Sequence, residues 1–236
     1  MSGPAVKGPV VGLLLFPDLT ELDLTGPLQV FCAVPGAEVH LVAKTLDPVP
    51  TDTVLTINPT ITLADCPQLD VVCVPGGYGV DEILDDDEIL DFLRAQAAGA
   101  RYVTSVCTGA LALGAAGLLD GYRATTHWTA MDCLEAFGAI PAETRVCVDR
   151  DRVTGGGVTA GIDFALALVA ELVDRPTAEA VQLRLEYAPA PPFDAGSPRT
   201  APADVVARYR EGIEPAVARR HEAVARAAAH RGGIGG

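Results

Sequence analysis

Apolar and polar positions alternate along this chain in two rhythms. Short, nearly unbroken runs rich in β-branched residues occupy 10–16, 38–43, 71–74, 102–106, 124–127 and 145–148, and read as strands. Between and after them apolar residues recur at helical spacing over 27–34, 86–98, 108–119, 128–137, 161–173, 177–185 and 203–229. A strand buried on both faces shows a continuous apolar run rather than alternation, and strands that alternate with helices form a mostly parallel sheet covered on both sides. The pattern therefore predicts an α/β sandwich. Segment 52–63 alternates enough to be a hairpin or an edge excursion. Thr25 is placed to cap a helix opening at Gly26-Pro27, and the acids within 85–88 sit where a helix N-terminus stabilises negative charge.

At 236 residues the chain suits one large domain, 1–236, with a substantial core. Residues 187–202 hold five prolines in sixteen positions, which excludes a helix and predicts a loop ahead of a C-terminal helix at 203–229. The apolar run 10–16 is followed at once by Pro17, Asp18, Glu21 and Asp23, so it reads as a first strand rather than a signal peptide or a membrane span. The net charge of −14 is uneven: residues 199–236 hold seven basic and four acidic side chains, and the rest of the chain is strongly acidic. Such a body repels phosphate backbones, so nucleic acid is not an expected partner unless confined to the tail, and with no span readable a membrane is not expected either. Cys32, Cys66, Cys73, Cys107, Cys133 and Cys147 form no CxxC pair, and with four histidines no zinc cluster is readable. A reduced, cytoplasmic protein without a metal is the simplest expectation.

Cys107 is the residue with the sharpest chemistry, because it stands where the strand 102–106 turns directly into a helix. Ser105-Val106-Cys107-Thr108-Gly109 is a cysteine analogue of the nucleophile elbow, and the helix that follows should favour the thiolate. Four other segments follow predicted strands or glycine turns at the sheet edge where ligands bind in parallel α/β folds. Asp23, between two leucines, is either an acid of raised pKa beside the thiol or a solvated loop acid or helix cap. Pro75-Gly76-Gly77-Tyr78-Gly79 can turn consecutive N–H groups toward developing negative charge. His127, in Thr125-Thr126-His127-Trp128, could pair with the thiol, polarise a substrate or satisfy a buried hydrogen bond, and structure is the commoner role of a lone histidine beside a tryptophan. The run from Thr154 to Gly161, with Gly156 and Thr159, either lets a helix pack closely or walls a pocket.

Taken in order, Leu22-Asp23-Leu24-Thr25-Gly26-Pro27, Pro75-Gly76-Gly77, the elbow at Cys107, Ala124-Thr125-Thr126-His127-Trp128 and Leu185-Glu186-Tyr187 through Ser197-Pro198 resemble the ThiJ/PfpI, class I glutamine amidotransferase-like superfamily. The likeness is greatest to the branch that adds water to isocyanides. It implies a flavodoxin-like three-layer sandwich, a homodimer, an isocyanide (isonitrile) as small-molecule substrate, a formamide as product through a cysteine thioimidate, and no cofactor. It places the nucleophile on Cys107 and its acidic partner on Asp23, with Thr108 standing where peptidase-like members carry His. The amides near Gly76, Gly77 and Thr108 take the anion-stabilising role, with His127, Gly156 and Thr159 behind them. A glyoxalase-like or hydrolytic activity, or a non-catalytic sensor domain, are the rival implications. Asp23 and Thr108 argue against the first two, and the forty or so residues after Pro198 are too few for two helix-turn-helix motifs.

Overall fold

The computed structural model describes residues 8–234, with side chains through Arg231. Its frame is a seven-stranded sheet of order β10-β11-β7-β6-β1-β2-β5, in which every pairing is parallel except β10 with β11. The strands are β1 Val10–Leu14, β2 Glu38–Ala43, β5 Ile61–Thr62, β6 Val71–Val74, β7 Tyr102–Val106, β10 Val146–Asp149 and β11 Arg152–Gly155. Two small ribbons lie outside it: β3 Val49–Pro50 with β4 Thr56–Ile57, and β8 Arg123–Ala124 with β9 Ile140–Pro141. The four residues of β6 are all buried, as a strand covered on both faces requires.

Helices α1 Glu21–Phe31, α5 Ala160–Leu172 and α6 Arg175–Arg184 pack together as one layer. The other layer holds α2 Val80–Ile83, α3 Asp87–Ala97, α4 Gly109–Ala115, a 3-10 segment Trp128–Phe137 and the long α7 Ala203–Ile234. Every residue of α4 is buried, because the sheet lies under it and α7 and the 3-10 segment lie over it. An amphipathic stripe is therefore unnecessary there, which is why Gly109-Ala110-Leu111-Ala112-Leu113-Gly114-Ala115 is apolar all round.

Several expectations shift. The first helix begins at Glu21, six residues before the expected Pro27, so Asp23 belongs to its first turn and not to a loop, and Thr25 does not cap it. Pro27 sits inside this helix, and packing of the Gly26-Pro27 stretch against Gly161 and Ile162 of α5 overrides its helix-breaking tendency. Thr25 Oγ1 instead donates to the Glu21 carbonyl. The acids at 85–88 are placed as expected, with Asp86 accepting from the Ile89 N–H as the cap of α3. The predicted strand 124–127 contributes only Arg123–Ala124 to a ribbon, and 128–137 winds as a 3-10 helix. Strand β11 was hidden in the glycine-dense segment, and its hairpin with β10 turns through Arg150 at φ 56 without a glycine or asparagine. Segment 52–63 divides, its first part closing the β3–β4 hairpin and its last part adding β5 to the sheet edge. Residues 187–202 form the expected irregular loop, and the last helix runs on past the expected Ala229 to Ile234.

Candidate active site

Three chain segments leave the carboxyl ends of adjacent strands and meet at Cys107. The segment after β1 carries Asp23, the one after β6 carries Gly76 and Gly77, and β7 ends at Cys107. β1 connects to β2 on one side while β6 and β7 lie on the other, so the site opens at the point where strand order reverses.

Cys107 has φ 53, a left-handed conformation that a non-glycine residue adopts only when its surroundings hold it there. Its N–H donates to the Gly155 carbonyl at 3.0 Å, and its carbonyl accepts the Thr126 hydroxyl at 2.7 Å. Both anchors lie on segments whose sequence allows a structural or a functional role.

Asp23 is fully buried. Its Oδ2 accepts from the Gly76 N–H at 3.1 Å, and its Oδ1 has no partner. A Cβ added to Gly76 would lie 2.8 Å from both Asp23 Oδ2 and Cys107 Cβ, so a residue without a side chain is what lets acid and thiol face each other. Burial pushes the Asp23 carboxyl up to about 7; its bonds with Cys107 and Gly76 oppose the shift, and the charge of Asp52 adds to it. Burial and then the Asp23 charge drive the Cys107 thiol well above its ordinary value, while the Thr108 N–H pulls the other way. The expected thiolate-favouring helix is thus outweighed: α4 spans seven residues and its help is smaller than the desolvation of the sulfur. Near neutrality the thiol keeps its proton while the Asp23 carboxyl is in mid-titration, so part of the protein carries a protonated thiol facing a carboxylate able to take its proton.

Thr108 grips the glycine turn from both sides. Its Oγ1 accepts from the Gly77 N–H at 3.0 Å and lies 3.2 Å from the Gly77 carbonyl, to which its hydroxyl can donate. Gly77 has φ 135, a backbone conformation open to glycine. Two of the three expected anion-stabilising amides are therefore already engaged, Gly76 by Asp23 and Gly77 by Thr108, and the third, the Thr108 N–H, donates to the Cys107 sulfur.

His127 lines the cavity in front of Cys107, but its Nδ1 lies 2.7 Å from Thr129 Oγ1 and caps the 3-10 segment. Burial, assisted by the nearby Arg220 charge, lowers its pKa to about 4, so it is neutral near pH 7. Gly156 and Thr159 border a neighbouring groove of about 670 Å³ and not the Cys107 cavity. There the Gly156 N–H donates to the Arg145 carbonyl, and Thr159 accepts from the Arg145 guanidinium. Gly196 to Arg199 of the proline-rich loop line the same groove. Among the described residues one group of donors is close enough to share a cation: Asp132, Cys133 and His221, with ligand atoms within 4.8 Å of one another. None of them lines the Cys107 cavity.

The cavity, about 220 Å³, has a wall that the sequence reading missed. Tyr209, Ile213, Ala216, Val217 and Arg220, all on α7, close it opposite Cys107 and Thr108. Arg220 is 7% exposed; its Nε donates to Asp81 Oδ1 at 2.7 Å and its guanidinium to the Gly77 carbonyl at 3.2 Å. The available signal was the 3.6-residue spacing of these positions within an otherwise charged helix, which the basic composition of the tail masked.

An α/β sandwich with an elbow cysteine paired to a buried acid defines a class, and the chain falls within a known one: its residues 10–171 match the DJ-1/PfpI family, to which it belongs. It is 58% identical over 219 residues to an isonitrile hydratase of Pseudomonas putida, covering 93% of this chain and 96% of that one. A solved ThiJ/PfpI family protein from Pseudomonas syringae superimposes with a TM-score of 0.90 at 47% identity, covering 94% of this chain and 92% of the other. The HTH-type transcriptional regulator GbdR of Pseudomonas aeruginosa is 33% identical over 185 residues, but those residues are 75% of this chain and half of the regulator. No described helix is long and apolar enough to cross a membrane.

Proposed function

We propose that this protein is an isonitrile hydratase, which adds water to R–N≡C to give the formamide R–NH–CHO. The observation that carries the reading is the near-full-length likeness to the Pseudomonas putida enzyme, and the geometry at Cys107 supplies a chemistry that suits it. In the proposed route the Asp23 carboxylate takes the thiol proton, and the sulfur attacks the terminal isocyanide carbon. Asp23 returns the proton to that carbon, which leaves a thioimidate, R–N=CH–S–Cys107, and a carboxylate. Asp23 then draws a proton from water as the water oxygen adds to the same carbon. That proton passes to nitrogen, and the tetrahedral adduct expels the sulfur, which recovers the hydroxyl proton by way of Asp23. One acid and one nucleophile thus serve both halves. Thr108, Gly76 and Gly77 hold the two in register, and His127 stays neutral as part of the wall. The imidazole bonds to Thr129 and not to the thiol, which favours this route over a cysteine–histidine hydrolase.

The direct test is formamide formation from a simple isocyanide, followed by chromatography. Turnover by the wild-type protein is expected, and its absence across aliphatic and aromatic isocyanides would overturn the reading. We further propose a homodimer working in the cytoplasm. The family resemblance supports the dimer, and the free state of all six cysteines fits a reducing compartment. Light scattering should give about twice the 24.4 kDa chain mass, and a monomer at micromolar concentration contradicts the dimer.

A further inference from the structure

The wall that α7 raises over Cys107 is fixed at both ends. At one end Tyr209 packs on Trp128 with ring centroids 5.7 Å apart, and at the other Arg220 is bound to Asp81 and the Gly77 carbonyl. Between these anchors Ile213, Ala216 and Val217 face the cavity at helical spacing. With both ends tied, the room left in front of the sulfur depends on the bulk of these three side chains. The cavity of about 220 Å³ lies below the ~300–1,000 Å³ usual for sites that enclose drug-sized ligands. Its charged groups are occupied: Arg220 is spent on Asp81 and Gly77, Asp52 accepts the Thr20 hydroxyl at 2.7 Å, and His127 is neutral. An anionic substituent would find no free cation there and would meet the Asp52 carboxylate.

We propose that Ile213, Ala216 and Val217 are the specificity determinants of the site, admitting to Cys107 molecules whose substituent is compact, while the occupied Arg220 and the Asp52 carboxylate disfavour an anionic one. The proposal rests on the hydratase reading for the identity of the substrate, an isocyanide, but the size filter itself does not.

The experiment compares kcat/KM for methyl and cyclohexyl isocyanide, and for methyl isocyanoacetate and isocyanoacetate, in the wild type, Ala216→Leu, Ala216→Val, Val217→Ala and Ile213→Ala. Ala225→Leu, on the exposed side of the same helix, is the control. Alkylation of Cys107 by iodoacetamide and by N-cyclohexylmaleimide, located by peptide mapping, is measured in parallel. Added bulk at Ala216 should lower the cyclohexyl-to-methyl ratio roughly tenfold or more, with Val milder than Leu. Removal of bulk at Val217 or Ile213 should raise it, and the ester should be preferred to the anion. The two alkylating agents should follow the same order. Ratios unmoved in every variant, a change as large in Ala225→Leu, or equal use of anion and ester would overturn the proposal. If no isocyanide is hydrated by the wild type yet the alkylation ratio shifts as described, the hydratase reading fails and the size filter stands.

Discussion

Asp23 shows how one side chain can be chemically legible and structurally illegible at once. Its apolar neighbours Leu22 and Leu24 signal a raised pKa, but whether it sat in a loop or in a site depended on where the helix began, and Pro27 concealed that start. The opposite held for Cys107: the elbow could be read from the strand-to-helix change, whereas burial of the sulfur, which reverses the expected thiolate bias, could not. The Asp23 pKa carries a stability consequence. It is near 3.8 when unfolded and about 7 when folded, so between those values the folded chain binds more protons than the unfolded one and stability falls as pH rises. The loss from this residue is on the order of 4 kcal/mol across that window. Asp23→Asn should therefore flatten the decline, so that the variant gains on the wild type between pH 5 and pH 8 in urea unfolding. A gap between the two that does not change with pH would show that the carboxyl titrates normally.

At the scale of elements, α7 is the largest departure from the sequence reading. Its predicted extent was close, but only the structure puts Arg220 against the glycine turn. Composition reports average charge and does not show which single cation is buried. The Arg220–Asp81 pair is largely enclosed, with side chains 9% and 15% exposed. Removing one partner strands the other, so Arg220→Gln should cost roughly 3 kcal/mol of stability, with part of it regained in the double variant with Asp81→Asn. Because the same guanidinium holds the Gly77 carbonyl, the double variant should still be slower at Cys107 alkylation than the wild type. Denaturant unfolding and alkylation rates check both, and a double variant as destabilised as the single one contradicts the pairing.

For the whole molecule, the layered plan and the position of the elbow were legible because buried strands and the helices between them have different periods. Strand order and the full sheet were not. β11 escaped because a charged turn, Asp149-Arg150-Asp151, joins it to β10 with an arginine where a glycine or asparagine would mark the positive-φ position, and that strand supplies the Gly155 carbonyl that anchors Cys107. The site thus gathers distant pieces: Asp23 from the first helix, the glycine turn after β6, Cys107 after β7 and a wall from the last helix. All of them serve one claim, that hydration proceeds through a covalent bond to the elbow sulfur. Intact-mass spectrometry of the enzyme quenched during turnover, followed by peptide mapping, tests it most directly. One isocyanide added per chain, located on Cys107 and absent in Cys107→Ala together with formamide production, is the predicted result. Turnover that survives Cys107→Ala, or an adduct on another residue, would contradict it.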